Sequence, residues 1–231
     1  MVEQSLFSMY LSLVAQGVSK RSAFGALMIA GSIGKIDKIV FPKKPLVVHY
    51  WIKPFRRIHK DCAAMFVHPK KHKRVQCFYK VFAHKVAAAL NGKDKIGIAV
   101  RGQPRILERF RDATRDDMAF ALGAHEVRHR MQYRYKKRLM LFDRLCDPTT
   151  VVDPLVQYAV LYNQMIFESW EKHFAVEGKS QSEILRITNA LEFDARVVET
   201  LVLHLATRCE KDLKYLRRVM WIQPDRRLPT R

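Results

Sequence analysis

The chain has 231 residues, 48% of them hydrophobic, with 42 Lys+Arg against 22 Asp+Glu and a formal net charge of +20. That length and apolar content suit a single domain, 1–231, with a sizeable core, and the charge excess predicts attraction to a polyanion such as nucleic acid, an anionic membrane surface or an acidic protein. Four dispersed cysteines, Cys62, Cys77, Cys146 and Cys209, with no C-x-x-C pair, argue against a disulfide framework and suit reduced, partly buried thiols in a cytoplasmic protein.

The N-terminal segment, residues 1–45, is apolar and expected to be helical. LFSMYLSLVAQGV (6–18) and SAFGALMIAGSIG (22–34) are separated by the charged pair Lys20-Arg21. Neither run reaches the roughly 18–20 apolar residues that a membrane span needs. The opening Met-Val-Glu-Gln lacks the basic start of a secretory signal. Two short buried helices and no membrane span are therefore expected. LVVHYWI (46–52) is β-branched and aromatic, and reads as a strand.

A basic stretch follows, KPFRRIHKDCAAMFVHPKKHKR. Lys53, Arg56, Arg57, Lys70, Lys71, Lys73 and Arg74 are its candidates for contact with a polyanion. Phe55 and Phe66, interleaved among them, are placed to stack on bases. A solvated surface loop is the equal alternative. A second zinc site from Cys62, His68, His72 and Cys77 lacks the close cysteine pair of a finger. His49, His59 and His84 read as ordinary structural or surface histidines. RVQCFYKVFAHKVAAAL (74–90) reads as strand passing into helix, Asn91-Gly92 as a turn, and KIGIAVR (95–101) as a second strand on which the next helix can pack.

That helix is the main one expected. Thr114 is its candidate N-cap, and Asp116 and Asp117 in the first turn complement the helix dipole. An apolar stripe of Phe120, Ala124, Val127 and Met131, then Leu139 and Phe142, carries one helix to about Leu145, where Asp147-Pro148 ends it. A second helix covers 153–175. Gly178 to Ser182 breaks the chain, and Ser182 is placed to cap a third helix from 183 to about 218. Residues 219–231 read as a surface tail.

The chemistry sits on the long helix. His125-Glu126-Val127-Arg128-His129 reads H-E-x-x-H. Histidines four apart on a helix lie about 40° apart around its axis, so both imidazoles can bind one ion. Zinc is usually four-coordinate and needs a third protein ligand, with the last position left open to water. A zinc-held water has a pKa near 7, and Glu126 is placed to take its proton and pass it to the leaving amine. The competing reading is a solvated His/Arg face, because RHRMQYRYKKR follows at once. For the third ligand, Glu192 in LEFDARVVE stands among apolar neighbours, where an unpaired carboxylate is costly. Asp194 is its rival, and Glu199, two turns later, shares its face. An exposed ladder of Glu192, Arg196 and Glu199 is the plainer alternative. Oxyanion donors are sought in Tyr158, Tyr162 and His204, and Gln132 on the motif face is placed to line the cleft. Arg128 is expected to pair with Asp194 or Glu199 and so to support the site.

HEVRHRMQ followed by EFDA resembles the gluzincin pattern of H-E-x-x-H with a glutamate in E-x-x-A on a later helix. The embedded CaaX-type peptidases share E-F-x-A but continue with Asp where this chain has Arg196, and they have several membrane spans. H-E-x-R-H-x-x-Q is similar to poorly characterised bacterial and phage metallopeptidases. The match covers two short segments. It implies an α+β, zincin-like fold, mainly helical, with a small sheet from the N-terminal half packed on the motif helix. It also implies Zn2+ held by His125, His129 and Glu192, with Glu126 as the base, acting on a peptide or protein substrate. The reading set against it is a non-enzymatic, basic nucleic-acid-binding protein, which includes a zincin that has lost activity.

Overall fold

A computed structural model of the chain describes residues 6–52, 63–68, 77–84, 114–135, 137–145, 147–176, 178–209 and 212–228. These are mostly helical with one three-stranded sheet. No helix among them is long and apolar enough to cross a membrane. The strand expected at 95–101 and the basic candidates Lys53, Arg56, Arg57, Lys70, Lys71, Lys73 and Arg74 lie outside the described residues. So do Cys62 and His72, whereas Cys77 is a free, half-buried thiol.

The described chain falls into two compact units, with the boundary after Val127. The first unit begins with α1 (Leu6–Ala15) and α2 (Lys20–Val40). Gly17 adopts φ +84°, a conformation that costs glycine nothing and ends α1. Ser19 then caps α2 by accepting from Ser22 N. Lys20 and Arg21, which divide the apolar runs in the sequence, thus form the first turn of α2. Its buried positions recur every three or four residues through Ala23, Ala26, Ile29, Ile33, Ile36 and Val40, the stripe that a packed helix requires. The expected burial of α1 is not found. Only Leu13 is buried, while Leu6, Phe7 and Leu11 are exposed.

The sheet has the order β1-β3-β2, with β1 (Val48–Trp51) parallel and β2 (Ala64–Val67) antiparallel to β3 (Phe78–Phe82). It rests on α2. A buried polar contact ties the two together. Asp37 of α2 is fully buried and accepts from Tyr79 Oη at 2.5 Å and Leu46 N at 2.8 Å, as a buried carboxylate must.

The motif helix α3 runs from Arg115 to Tyr135. Its start is as expected, with Thr114 and Asp117 capping each other reciprocally. Gly123 faces α2 so closely that a Cβ there would lie 3.0 Å from Ile33 N. The helix ends ten residues short of Leu145. Leu139 and Phe142 are buried as the stripe implied, but on a non-helical segment whose backbone is held by side chains. Met140 N donates to Gln223 Oε1 and Phe142 N to Asp194 Oδ1, both at 3.0 Å. Those bonds replace the ones that a continuing helix would have made.

In the second unit, α4 (Pro154–Val176) matches the expected second helix and is capped by Asp153. The expected third helix is instead three helices, α5 (Gln181–Ile187), α6 (Ala190–Cys209) and α7 (Leu213–Met220). Ser180, rather than Ser182, caps α5 in a reciprocal pair with Glu183. Asn189 restarts the chain by accepting from Leu191 N and Glu192 N, and Asp212 caps α7. Short polar residues offer the backbone an alternative to helix, which is why one run of helix formers divides. Both α4 and α7 pack on α6, whose Phe193, Ala195, Val197, Val198, Leu201 and Val202 are fully buried. The expected surface tail also begins in the core. Met220, Ile222 and Gln223 are buried, and Leu228 N donates to Asp153 Oδ2 at 2.9 Å.

Candidate metal centre

His125, Glu126 and His129 sit on α3, and Glu192 lies in the first turn of α6. His125 and Glu126 are buried, and the His129 and Glu192 side chains are 18% and 35% exposed. A site with two buried and two partly open members is sheltered yet reachable. His125, His129 and Glu192 each offer one ligand atom, and the three atoms lie within 4.8 Å of one another. His129 Nε2 is 3.3 Å from Glu192 Oε1. Ligand bonds of about 2.0–2.1 Å at tetrahedral angles put neighbouring ligand atoms roughly 3.3–3.4 Å apart. The observed separation thus fits one small cation between the two groups. Two imidazoles and a carboxylate are also a donor set suited to zinc.

Asp194, the rival to Glu192, is committed elsewhere. Its carboxylate is fully buried. Oδ1 accepts from Arg128 Nη2 at 2.9 Å and from Phe142 N at 3.0 Å, while Oδ2 accepts from Arg128 Nε and Gln132 Nε2, each at 2.7 Å. With four donors on two oxygens, no lone pair is left for a cation. Arg128 therefore pairs with Asp194 rather than with Glu199. It is itself fully buried and donates further to Met220 O at 2.7 Å and Ile222 O at 3.2 Å, a satisfied guanidinium of the kind interiors tolerate. Glu199 instead accepts from Arg196 Nη1, at 3.0 and 2.8 Å, so part of the expected charge ladder on α6 is present.

The oxyanion candidates lie farther off. His204 is exposed on α6, twelve residues beyond Glu192, or about 18 Å along the helix axis, out of reach of the cluster. Tyr162 is buried on α4 and stacks on Tyr158 with ring centroids 6.2 Å apart. Burial, then the neighbouring Tyr158 and Glu199, pushes its phenol well above the usual range, so it stays a neutral donor. It sits beside Glu199, which is about 10 Å along α6 from Glu192, so no oxyanion role follows from its position. Gln132 is different from the lining residue expected. It is buried, with Oε1 2.8 Å from His129 Nδ1 and Nε2 donating to Asp194 Oδ2 and, at 2.8 Å, to Leu191 O. Its spacing three residues after His129, on the same helix face, and its place in H-E-x-R-H-x-x-Q were the signals of this contact in the sequence. Nothing in the sequence pointed to the carbonyls of Met220 and Ile222. The chain matches no protein-family model, no curated protein and no solved structure.

Proposed function

We propose that this chain is a zinc-dependent metallopeptidase of zincin-like fold, with His125, His129 and Glu192 as the metal ligands. The observation that carries the reading is the convergence of those three donors from α3 and α6, with His129 Nε2 3.3 Å from Glu192 Oε1. Bound there, zinc supplies Lewis acidity and lowers the pKa of a water to about 7. Glu126 follows His125 directly on the helix, is buried, and is the base in this reading. It takes the proton of the attacking water and returns it to the leaving amine, work worth about 10²–10⁴ in rate. The free thiol of Cys77 is in keeping with a reducing, cytoplasmic setting. The decisive experiment is a metal-to-protein ratio on the purified chain, followed by cleavage of a quenched fluorescent peptide library. The reading expects one zinc per chain, retained by Glu126→Gln with hydrolysis abolished, and lost in His129→Ala. A chain that takes up no zinc, or hydrolysis that survives Glu126→Gln, overturns it.

A second reading, contact with a nucleic acid or other polyanion, is favoured by one feature beyond the net charge. Arg218, Arg226 and Arg227 line an open, shallow depression together with Trp221 and Ile222. These three guanidinium groups have no acidic partner among the described residues, and a tryptophan beside them offers a stacking surface. Binding of a single-stranded oligonucleotide should then weaken steeply with salt, and Arg226→Ser or Arg227→Ser should each lower the slope by about one. Binding that is indifferent to salt would exclude this reading.

A further inference from the structure

The buried residues behind His129 form a chain whose polarity can be followed atom by atom. The nitrogen of the Gln132 amide faces Asp194 Oδ2 at 2.7 Å and Leu191 O at 2.8 Å. A carboxylate and a carbonyl only accept, so the amide cannot be turned the other way. Its oxygen is thereby held 2.8 Å from His129 Nδ1, and an amide oxygen only accepts. Two acceptors face the ring, Gln132 Oε1 at 2.8 Å from Nδ1 and Glu192 Oε1 at 3.3 Å from Nε2; the shorter contact holds the single proton of the neutral ring on Nδ1 and leaves the lone pair on Nε2. Nε2 is the atom 3.3 Å from Glu192 Oε1, on the side of the cluster. A free histidine side chain in water favours the opposite tautomer, with its proton on Nε2.

The geometry points to Gln132 as a positioning residue that holds His129 in the Nδ1–H tautomer, with its lone pair already aimed at a cation. Asp194 orients Gln132, and Arg128 orients Asp194. Arg128 is fixed in turn by the carbonyls of Met220 and Ile222, so the C-terminal segment closes the series. Every link from Arg128 to His129 is a direct hydrogen bond of 2.7–2.9 Å. The inference rests on the zinc reading for its purpose, but the tautomer itself does not. It also accounts for the spacing of Arg128, Gln132 and Asp194 around the motif, which the ligands and the base leave unexplained. Such outer partners typically contribute 10–100-fold to metal affinity.

The test begins on metal-free, 15N-labelled protein at mildly alkaline pH, with long-range proton–nitrogen spectra of the imidazoles and His129→Gln to assign the ring. The expected result is a protonated Nδ1 and an unprotonated Nε2 at His129. A ring protonated on Nε2 overturns the inference. In Gln132→Leu, zinc affinity read by competition with a chelator should fall 10–100-fold, and His129 should revert to the Nε2–H form. Unchanged affinity in that variant, with zinc bound by the parent chain, removes the role of Gln132 and leaves the metal reading intact. The Nδ1–H form in a parent chain that takes up no zinc does the reverse. The spectra of the parent chain need no substitution at Gln132, so they decide the tautomer even if Gln132→Leu does not fold.

Discussion

Asp194→Ala is expected to be among the most damaging single changes in the second unit. Arg128 and Asp194 are both fully buried and joined by two hydrogen bonds, from Nε at 2.7 Å and Nη2 at 2.9 Å. Removing one member of such a pair strands the other charge and costs about 3–5 kcal/mol. Phe142 N loses its acceptor as well, adding about 1 kcal/mol or more. Only the two carbonyls of Met220 and Ile222 remain to Arg128, and carbonyl dipoles do not neutralise a guanidinium. A total of about 4–6 kcal/mol is a large part of the roughly 5–15 kcal/mol that holds a folded domain together. For a chain of this size, at about 2–4 °C per kcal/mol, the melting temperature should fall by roughly 10–20 °C. Thermal and urea unfolding followed by circular dichroism, in excess chelator so that metal does not contribute, measures this directly. The double variant Arg128→Met with Asp194→Leu removes both charges and fills the space, so it should recover at least half of the loss. A single variant that melts within a degree or two of the parent, or a double variant whose loss is the sum of the singles, would refute the reasoning.

Gly123→Leu should destabilise the first unit by about 2 kcal/mol or more, because its side chain must enter a space where even a Cβ lies 3.0 Å from Ile33 N and Ser32 Cβ. Gly123→Ala should cost little, since the gain of about 1 kcal/mol in helix propensity offsets much of the crowding. Equal melting of Gly123→Leu and the parent would show that the close approach of α2 is absent. The Arg144 guanidinium bonded to Glu171, helped by Thr188 Oγ1, holds the Glu171 carboxyl below its ordinary value. A depressed carboxyl stabilises the fold above its unfolded value and ceases to do so as pH falls through the folded value. Stability should thus decline below about pH 4.5, and Glu171→Gln should flatten that acid limb in melts taken across it. Zinc at about a thousandfold its dissociation constant should add roughly 4 kcal/mol to the stability of a chain that binds it only when folded. Scanning calorimetry with zinc and with chelator should differ accordingly, and identical scans would deny a folded-state metal site.

Much of the local structure was legible in the sequence, because local structure is set by neighbours in the chain. H-E-x-x-H puts two imidazoles on one face of any helix that contains it. Thr114 with Asp117 marks where α3 starts, and the apolar stripe from Phe120 to Met131 is buried as its period requires. The strand around residue 50 and the helix from about 153 to 176 follow equally from pattern and capping.

What tertiary structure alone decided is where helices stop and which way side chains face. The run after Tyr135 has helix-forming residues, yet Gln223 and Asp194 capture the backbone at Met140 and Phe142. A run read as one helix from 183 onward is three, since Asn189 and Asp212 satisfy backbone donors at the breaks. Glu192 and Asp194 are two residues apart and carry the same functional group, so composition and spacing cannot rank them. In the folded chain the first faces His129 and the second is buried against Arg128. The tautomer of His129 depends on contacts that join residues 128, 132, 191, 194, 220 and 222. The sequence by itself determined which side chains a helix can present together; only the folded chain, by bringing distant donors and acceptors within hydrogen-bond reach, determined which of them are spent on one another and which remain for a ligand.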